Sequence, residues 1–268
     1  MSTPFDAYAE DYDGDFTLSL IGSLMRARVW RHLDAAFKPG QRVLELSCGT
    51  GADAIHLANR GVRVHATDAA ARMVKATRRK VQQNALTDRV SVQPMPMEEV
   101  SSLAGGCFDG AFSNFGGLNC VAGRRLLAAD LACVLPPGAT LLVCVMGPVV
   151  PWEWLWFLAR LAPRKAFRRM TLELINPGHI NSGGVEWRGL KVYYPSISVL
   201  REEFAPHFEC RRVAALGALV PPPYTENLTS KAAALVRALD RLERALESLP
   251  PLPWLADHYL MELHRLNA

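Results

Sequence analysis

Val43-Leu44-Glu45-Leu46-Ser47-Cys48-Gly49-Thr50-Gly51 decides the fold of this 268-residue chain. A short branched apolar run followed at once by glycines two residues apart, and then by a helix-forming run from Asp53 to Asn59, reads as strand, tight turn, helix. Glycines at 49 and 51 let the backbone approach a ligand where a Cβ would collide. The next strand, Gly61 to Asp68, ends on a carboxylate, which is where an acid accepts the ribose hydroxyls of an adenosine.

The same rhythm continues outward. Ala69 to Asn84 forms a helix, Val90 to Val92 and Phe108 to Ser113 form strands, Leu126 to Val134 a helix closed by Pro136-Pro137-Gly138, and Ala139 to Met146 a continuous apolar strand. Alternation of this kind predicts an α/β fold with a parallel sheet covered on both faces. Upstream, Leu18 to Phe37 has helical spacing. The rhythm breaks at Pro148: Trp152 to Arg169 is a tryptophan-rich helical pattern with a basic end, and Asn176 to Tyr194 is glycine-punctuated and strand-like. Ser196 to Phe204 then suggests a helix, Phe208 to Val220 a strand, a leucine stripe at 228, 235, 239, 242 and 246 a helix, and His258 to Leu266 a closing strand.

Half the residues are apolar and the formal charge is +4, so one large core is affordable and the charge lacks the arginine-aromatic pattern of a nucleic-acid binder. The six cysteines (48, 107, 120, 133, 144 and 210) form no C-x-x-C pair; they are expected as buried free thiols, with no metal site. Acidic residues crowd the N-terminus in place of a signal peptide, and no span reaches the ~18 apolar residues of a membrane helix. A cytoplasmic protein, monomer or homodimer, is the expectation.

Leu44 to Gly51 resembles the first motif of class I S-adenosylmethionine-dependent methyltransferases of the small-molecule type 11/25 kind, and Val64 to Asp68 resembles the second. Phe108 to Asn114 is similar to the fourth-strand motif, and Leu135 to Leu141 to the turn into strand five. The resemblance implies a Rossmann-like, seven-stranded, mostly parallel sheet with its last strand antiparallel and helices on both faces. It also implies a single domain over 1–268: an N-terminal helical lid (1–39), a cofactor-binding core (40–147), a substrate-lid insertion covering the active site (148–195), and C-terminal strands and helix (196–268). The cofactor would be S-adenosyl-L-methionine and the product S-adenosyl-L-homocysteine, with a small molecule methylated on oxygen or nitrogen; the aromatic surface of Trp152, Trp154, Trp156, Phe157, Tyr193 and Tyr194 points to an apolar or aromatic acceptor.

On that resemblance the cofactor contacts are Tyr12 and Arg26 from the N-terminal segment, Glu45, Ser47, Gly49 and Gly51 from the turn, Asp68 and Ala69, Met97 and Glu98, and Asn114 and Phe115 after strand four. Arg28 is a second arginine candidate for a carboxylate. Ser47 departs from the family's usual glycine. Pro94-Met95-Pro96-Met97-Glu98 stands where the family commonly offers an aspartate to the adenine amine, so Met97 is expected to pack on the ring and Glu98 to substitute for the acid. Asn119, Trp154, Tyr193 and Tyr194 are the substrate candidates, and His179 the candidate base. Trp152 to Arg169 reads as a lid, a shallow contact with an anionic membrane, or a packed helix.

Gly49, Gly51, Ala54 and Asp68 also fit the dinucleotide fingerprint, so a nicotinamide or flavin oxidoreductase is the alternative. A non-catalytic cofactor-binding scaffold is a third.

Overall fold

The computed structural model describes residues 3–170, 185–187, 189–225 and 229–267. In chain order the elements are α1 (Pro4–Tyr8), α2 (Leu20–Ala36), β1 (Arg42–Leu46), α3 (Ala52–Asn59), β2 (Arg63–Asp68), α4 (Ala71–Gln83), β3 (Val90–Pro94), β4 (Gly110–Ser113), α5 (Arg124–Val134) and β5 (Thr140–Met146). There follow α6 (Pro151–Leu158), α7 (Pro163–Ala166), β6 (Val185–Trp187), β7 (Leu190–Val192), α8 (Ile197–Phe204), β8 (Phe208–Leu216), α9 (Ala233–Leu246) and β9 (His258–Arg265).

Seven strands form one sheet in the order β3-β2-β1-β4-β5-β9-β8. The pairs from β3 to β5 are parallel, while β9 is antiparallel to both β5 and β8. β8 runs in the same direction as β5 and leaves one place between them, and β9 fills that slot, running opposite to both. This order differs from the all-parallel 3-2-1-4-5-6 arrangement of dinucleotide-binding folds. The short β6–β7 hairpin stands apart from the sheet.

Period-two alternation sorts the strand side chains into two cores. Leu141, Val143 and Val145 face the layer that α5 and α8 complete through Leu127, Leu131, Leu200 and Phe204. Leu142 and Cys144 face the opposite layer, which α2 and α3 complete through Ile21, Val29, Leu33 and Leu57. Both faces are thus closed, and the carboxyl edge of the parallel strands is left for ligands.

Three expectations are corrected. The Trp152 to Arg169 pattern is broken into two short helices. Cys107 and Cys133 are exposed rather than buried. The leucine stripe forms only part of the buried face of α9: Leu239 packs against the core, but Leu235 and Leu242 are exposed while Val236 and Glu243 are buried, and Leu228 lies outside the described residues. The cause is Arg28, buried on α2: its guanidinium donates to Glu243 at 2.5 Å, to Glu247 at 3.3 Å and to the Ala215 carbonyl at 2.7 Å. A buried cation demands carboxylates, and that demand sets the rotation of α9. Among the described residues no helix is long and apolar enough to cross a membrane.

Candidate functional site

The turn after β1 runs through three left-handed residues, Ser47 (φ +57°), Gly49 (φ +55°) and Gly51 (φ +80°). Gly51 has no room for a side chain, since a Cβ there would lie 2.5 Å from Thr77 Cγ2. Gly49 is different: a Cβ there would meet nothing within 4 Å, so its face opens on free space. Thr77 donates to the Gly49 carbonyl at 2.8 Å and holds the turn against α4.

Asp68, at the end of β2, faces that space. Its two carboxylate oxygens accept the amides of Gly49 and Ala70, each at 2.8 Å. Burial pushes its carboxyl up to about 6, although both amide bonds favour the charged form. Each oxygen keeps lone pairs free for hydroxyl donors. A cavity joins Ser47, Gly49, Asp68, Ala69, Met97, Glu98, Asn114 and Phe115, with Tyr12 over it and Leu190 of the β6–β7 hairpin at its rim. Gly116 and Gly117 belong to the same wall. A Cβ on Gly117 would lie 2.7 Å from Ser47 Cβ and 2.8 Å from Met97 Cε, a constraint that the sequence did not reveal.

Beneath the turn lies a charged network centred on Asp53. It accepts Arg26 Nη1 at 2.7 Å, Trp30 Nε1 at 2.7 Å and Asn114 Nδ2 at 2.8 Å. In the sequence Asp53 marks only the start of a helix, and the one local signal of its role is an acid in the first turn after a glycine loop. Glu45 is buried beside it with Oε2 unpartnered. Burial raises the Glu45 carboxyl well above its ordinary value, Asp53 adds to the rise, and Arg26 opposes it.

The N-terminal segment closes the site from above. Asp13 accepts Thr50 Oγ1 at 2.7 Å and pairs with Lys80 on α4. Burial alone would raise the Asp13 carboxyl, but the Lys80 and Thr50 hydrogen bonds hold it below its usual value. Asp6 accepts the Arg72 amide at 2.8 Å. Tyr12 thereby sits between Tyr8 and Phe16, at centroid distances of 5.7 and 5.9 Å, and Phe16 meets Phe115 edge-on at 4.8 Å. The Arg26 guanidinium lies 4.8 Å from the Phe115 ring, so aromatic faces neutralise part of the cost of burying it.

Other sequence candidates lie elsewhere. Asn119 is fully buried: Nδ2 donates to the Met146 and Tyr193 carbonyls and Oδ1 accepts the Met146 amide, so the side chain clamps its loop to β5. Asn114 does line the cavity, but its Nδ2 is spent on Asp53 and its Oδ1 accepts the Phe115 amide. Trp154 packs on Phe167, Tyr194 on Arg169, and Tyr193 near Arg124. None of these three lines the cavity around Gly49 and Asp68. His179 lies outside the described residues.

Residues 43–138 match the family described as "Methyltransferase domain". The chain is 32% identical over 157 residues to a demethylmenaquinone methyltransferase of Clavibacter sepedonicus, covering 56% of this chain and 60% of that protein. It is 30% identical over 109 residues to an S-adenosyl-L-methionine-dependent Diels-Alderase of Talaromyces variabilis, covering 40% and 37%. The chain thus spans about three fifths, 60%, of the length of the demethylmenaquinone enzyme it matches. Its fold is that of the geranyl diphosphate C-methyltransferase of Streptomyces coelicolor A3(2), solved with Mg2+, geranyl diphosphate and S-adenosyl-L-homocysteine. The TM-score is 0.56 at 12% identity, over 90% of this chain and 75% of that one. The matched region, residues 43–138, carries the glycine turn and Asp68, and it is this part of the chain, with the β3-β2-β1-β4-β5-β9-β8 sheet around it, that is similar to the class I S-adenosylmethionine-dependent methyltransferases.

Proposed function

We propose that this protein methylates a small apolar or aromatic molecule. The observation that carries the reading is that Phe5, Tyr12 and Phe115 line the same cavity that presents Gly49 and Asp68, with Tyr8 and Phe16 packed against Tyr12. Aromatic walls of this kind suit a flat apolar acceptor and exclude water from the transfer.

S-adenosylmethionine supplies an electrophilic methyl group when bound. Two features fit it here: the open face of Gly49 and the spare lone pairs of Asp68 for the ribose hydroxyls, whereas Glu45 is buried and does not line the cavity. Met97 offers an apolar wall for the adenine, with Glu98 beside it. Arg26, tied to Asp53, would lie with Tyr12 at the methionyl end of the cofactor. The contribution of the protein is alignment and exclusion of water, because an in-line displacement needs few reacting side chains. The name of the Clavibacter relative supports a ring-bearing, quinone-like acceptor.

The test is S-adenosylhomocysteine release across phenols, quinols, amines, carboxylic acids and sugars, with Phe115→Ala beside the wild type. Turnover of ring-bearing acceptors that Phe115→Ala slows at least tenfold supports the reading; turnover confined to small polar acceptors, untouched by that change, defeats it. A second reading is favoured by the Diels-Alderase relative: the cofactor held, but a pericyclic step catalysed without methyl transfer. Tight S-adenosylhomocysteine binding with no methyl transfer to any acceptor would favour it.

A further inference from the structure

The tip formed by α6, α7 and the turn between them has a surface chemistry that the site does not use. Leu161 adopts φ +53°, a left-handed conformation that residues other than glycine rarely take, and is 92% exposed. Leu155, Leu158 and Phe167 stand around it at 64%, 44% and 40% exposure. Arg160, Arg164 and Lys165 are exposed among them, and residues 155–167 contain no carboxylate. Arg160 lies over the Trp156 ring at 3.4 Å, so that charge is fixed beside the apolar surface.

The tip is anchored from below. Glu153, buried, accepts Arg168 at 2.7 Å and Arg169 at 3.0 Å, and Arg169 also reaches Asp257 at 2.7 Å. Trp152 Nε1 donates to the Ala218 carbonyl at 3.1 Å. The one acid of residues 152–169, Glu153, is therefore consumed internally, and the exposed side chains of residues 155–167 are apolar or basic.

We propose that this tip docks on an anionic lipid surface, Leu155, Leu158 and Leu161 entering the headgroup region while Arg164 and Lys165 pair with lipid phosphates. A protruding turn needs no complementary groove, and apolar side chains ringed by basic ones are the pattern that binds a bilayer interface. A second copy is disfavoured as occupant, because two such tips would bring like charges together. The docking stands independently of which acceptor is methylated.

The experiment is co-sedimentation of the full chain with vesicles of phosphatidylcholine alone and of phosphatidylcholine mixed with phosphatidylglycerol. Binding to the anionic vesicles only, weakened by salt, is expected. Leu161→Asp should nearly abolish it, and Arg164→Ala with Lys165→Ala should weaken it roughly thirtyfold, at about 1 kcal/mol per charge. Both variants should keep the wild-type thermal midpoint and S-adenosylhomocysteine affinity. No anionic binding, binding that neither variant weakens, or a self-association that Leu161→Asp abolishes without any vesicle binding would each overturn the proposal.

Discussion

Arg26 Nη1 lies 2.7 Å from Asp53 Oδ1, both side chains buried, directly under the glycine turn. Asp53 also satisfies Trp30 and Asn114, so it ties α2, the turn and the loop after β4 to one carboxylate. Asp53→Ala would strand a buried guanidinium and two further donors. The expected cost is ~3–5 kcal/mol of folding stability, read by chemical denaturation, with weaker S-adenosylhomocysteine binding. Arg26→Met in the same chain should restore part of the stability, and a double-mutant cycle measures the coupling.

Asp68 titrates at about 6 in the free protein because it is buried. If it accepts the ribose hydroxyls, it must be ionised to bind well, so cofactor affinity should hold above pH 6 and fall up to about tenfold per pH unit below it. Calorimetry across that window checks the slope. Asp68→Ala should weaken binding by ~1.5–3 kcal/mol, and Asp68→Asn should remove the pH dependence. A folded Asp68→Ala variant with unchanged affinity would place the ribose elsewhere.

The strand–turn–helix units were legible from residues 43 to 146 because each is local: an apolar run, its glycines and its helix are neighbours in sequence. The acid on β2 was legible for the same reason. What escaped was long-range pairing of charges. Nothing in the stretch Arg26 to Arg28 says that one arginine meets Asp53 while the other meets Glu243, 215 residues away. The rotation of α9, misjudged from its leucines, follows from that same pairing. Gly117 escaped because its constraint comes from Ser47 and Met97, on two other loops.

Glu247 gathers His32, Arg31, Arg28 and Arg212 at the junction of α2, α9 and β8. Burial works against its charged form, but His32 and the arginines bring the carboxyl down to about 2. A depressed carboxylate stabilises the fold above its unfolded value of ~4.3, and the stabilisation disappears as pH falls toward 2. Denaturant midpoints should therefore fall from about pH 5 to 2 more steeply in the wild type than in Glu247→Gln, with a difference on the order of 2–3 kcal/mol. Parallel curves would show that the cluster does not stabilise the fold.

The three left-handed residues of the turn separate folding from binding. Gly51→Ala would force a Cβ onto Thr77, which cannot swing away without releasing the Gly49 carbonyl, so ~2–4 kcal/mol of stability should be lost. Gly49→Ala meets open space and should cost only the ~1–2 kcal/mol of its left-handed backbone, while cofactor affinity falls more than tenfold because the new methyl fills the ligand's side of the turn. Ser47 is already a non-glycine residue at φ +57°, so Ser47→Gly should relieve strain and raise stability by up to ~1 kcal/mol after the entropy cost of glycine. Its effect on binding then isolates the hydroxyl: affinity unchanged makes Ser47 a substitute for the usual glycine, whereas a loss of several-fold in the more stable variant makes its Oγ a ligand contact. Thermal melts and S-adenosylhomocysteine titrations on the same three proteins decide it. Should Gly49→Ala bind as tightly as the wild type, the cofactor does not lie against this turn.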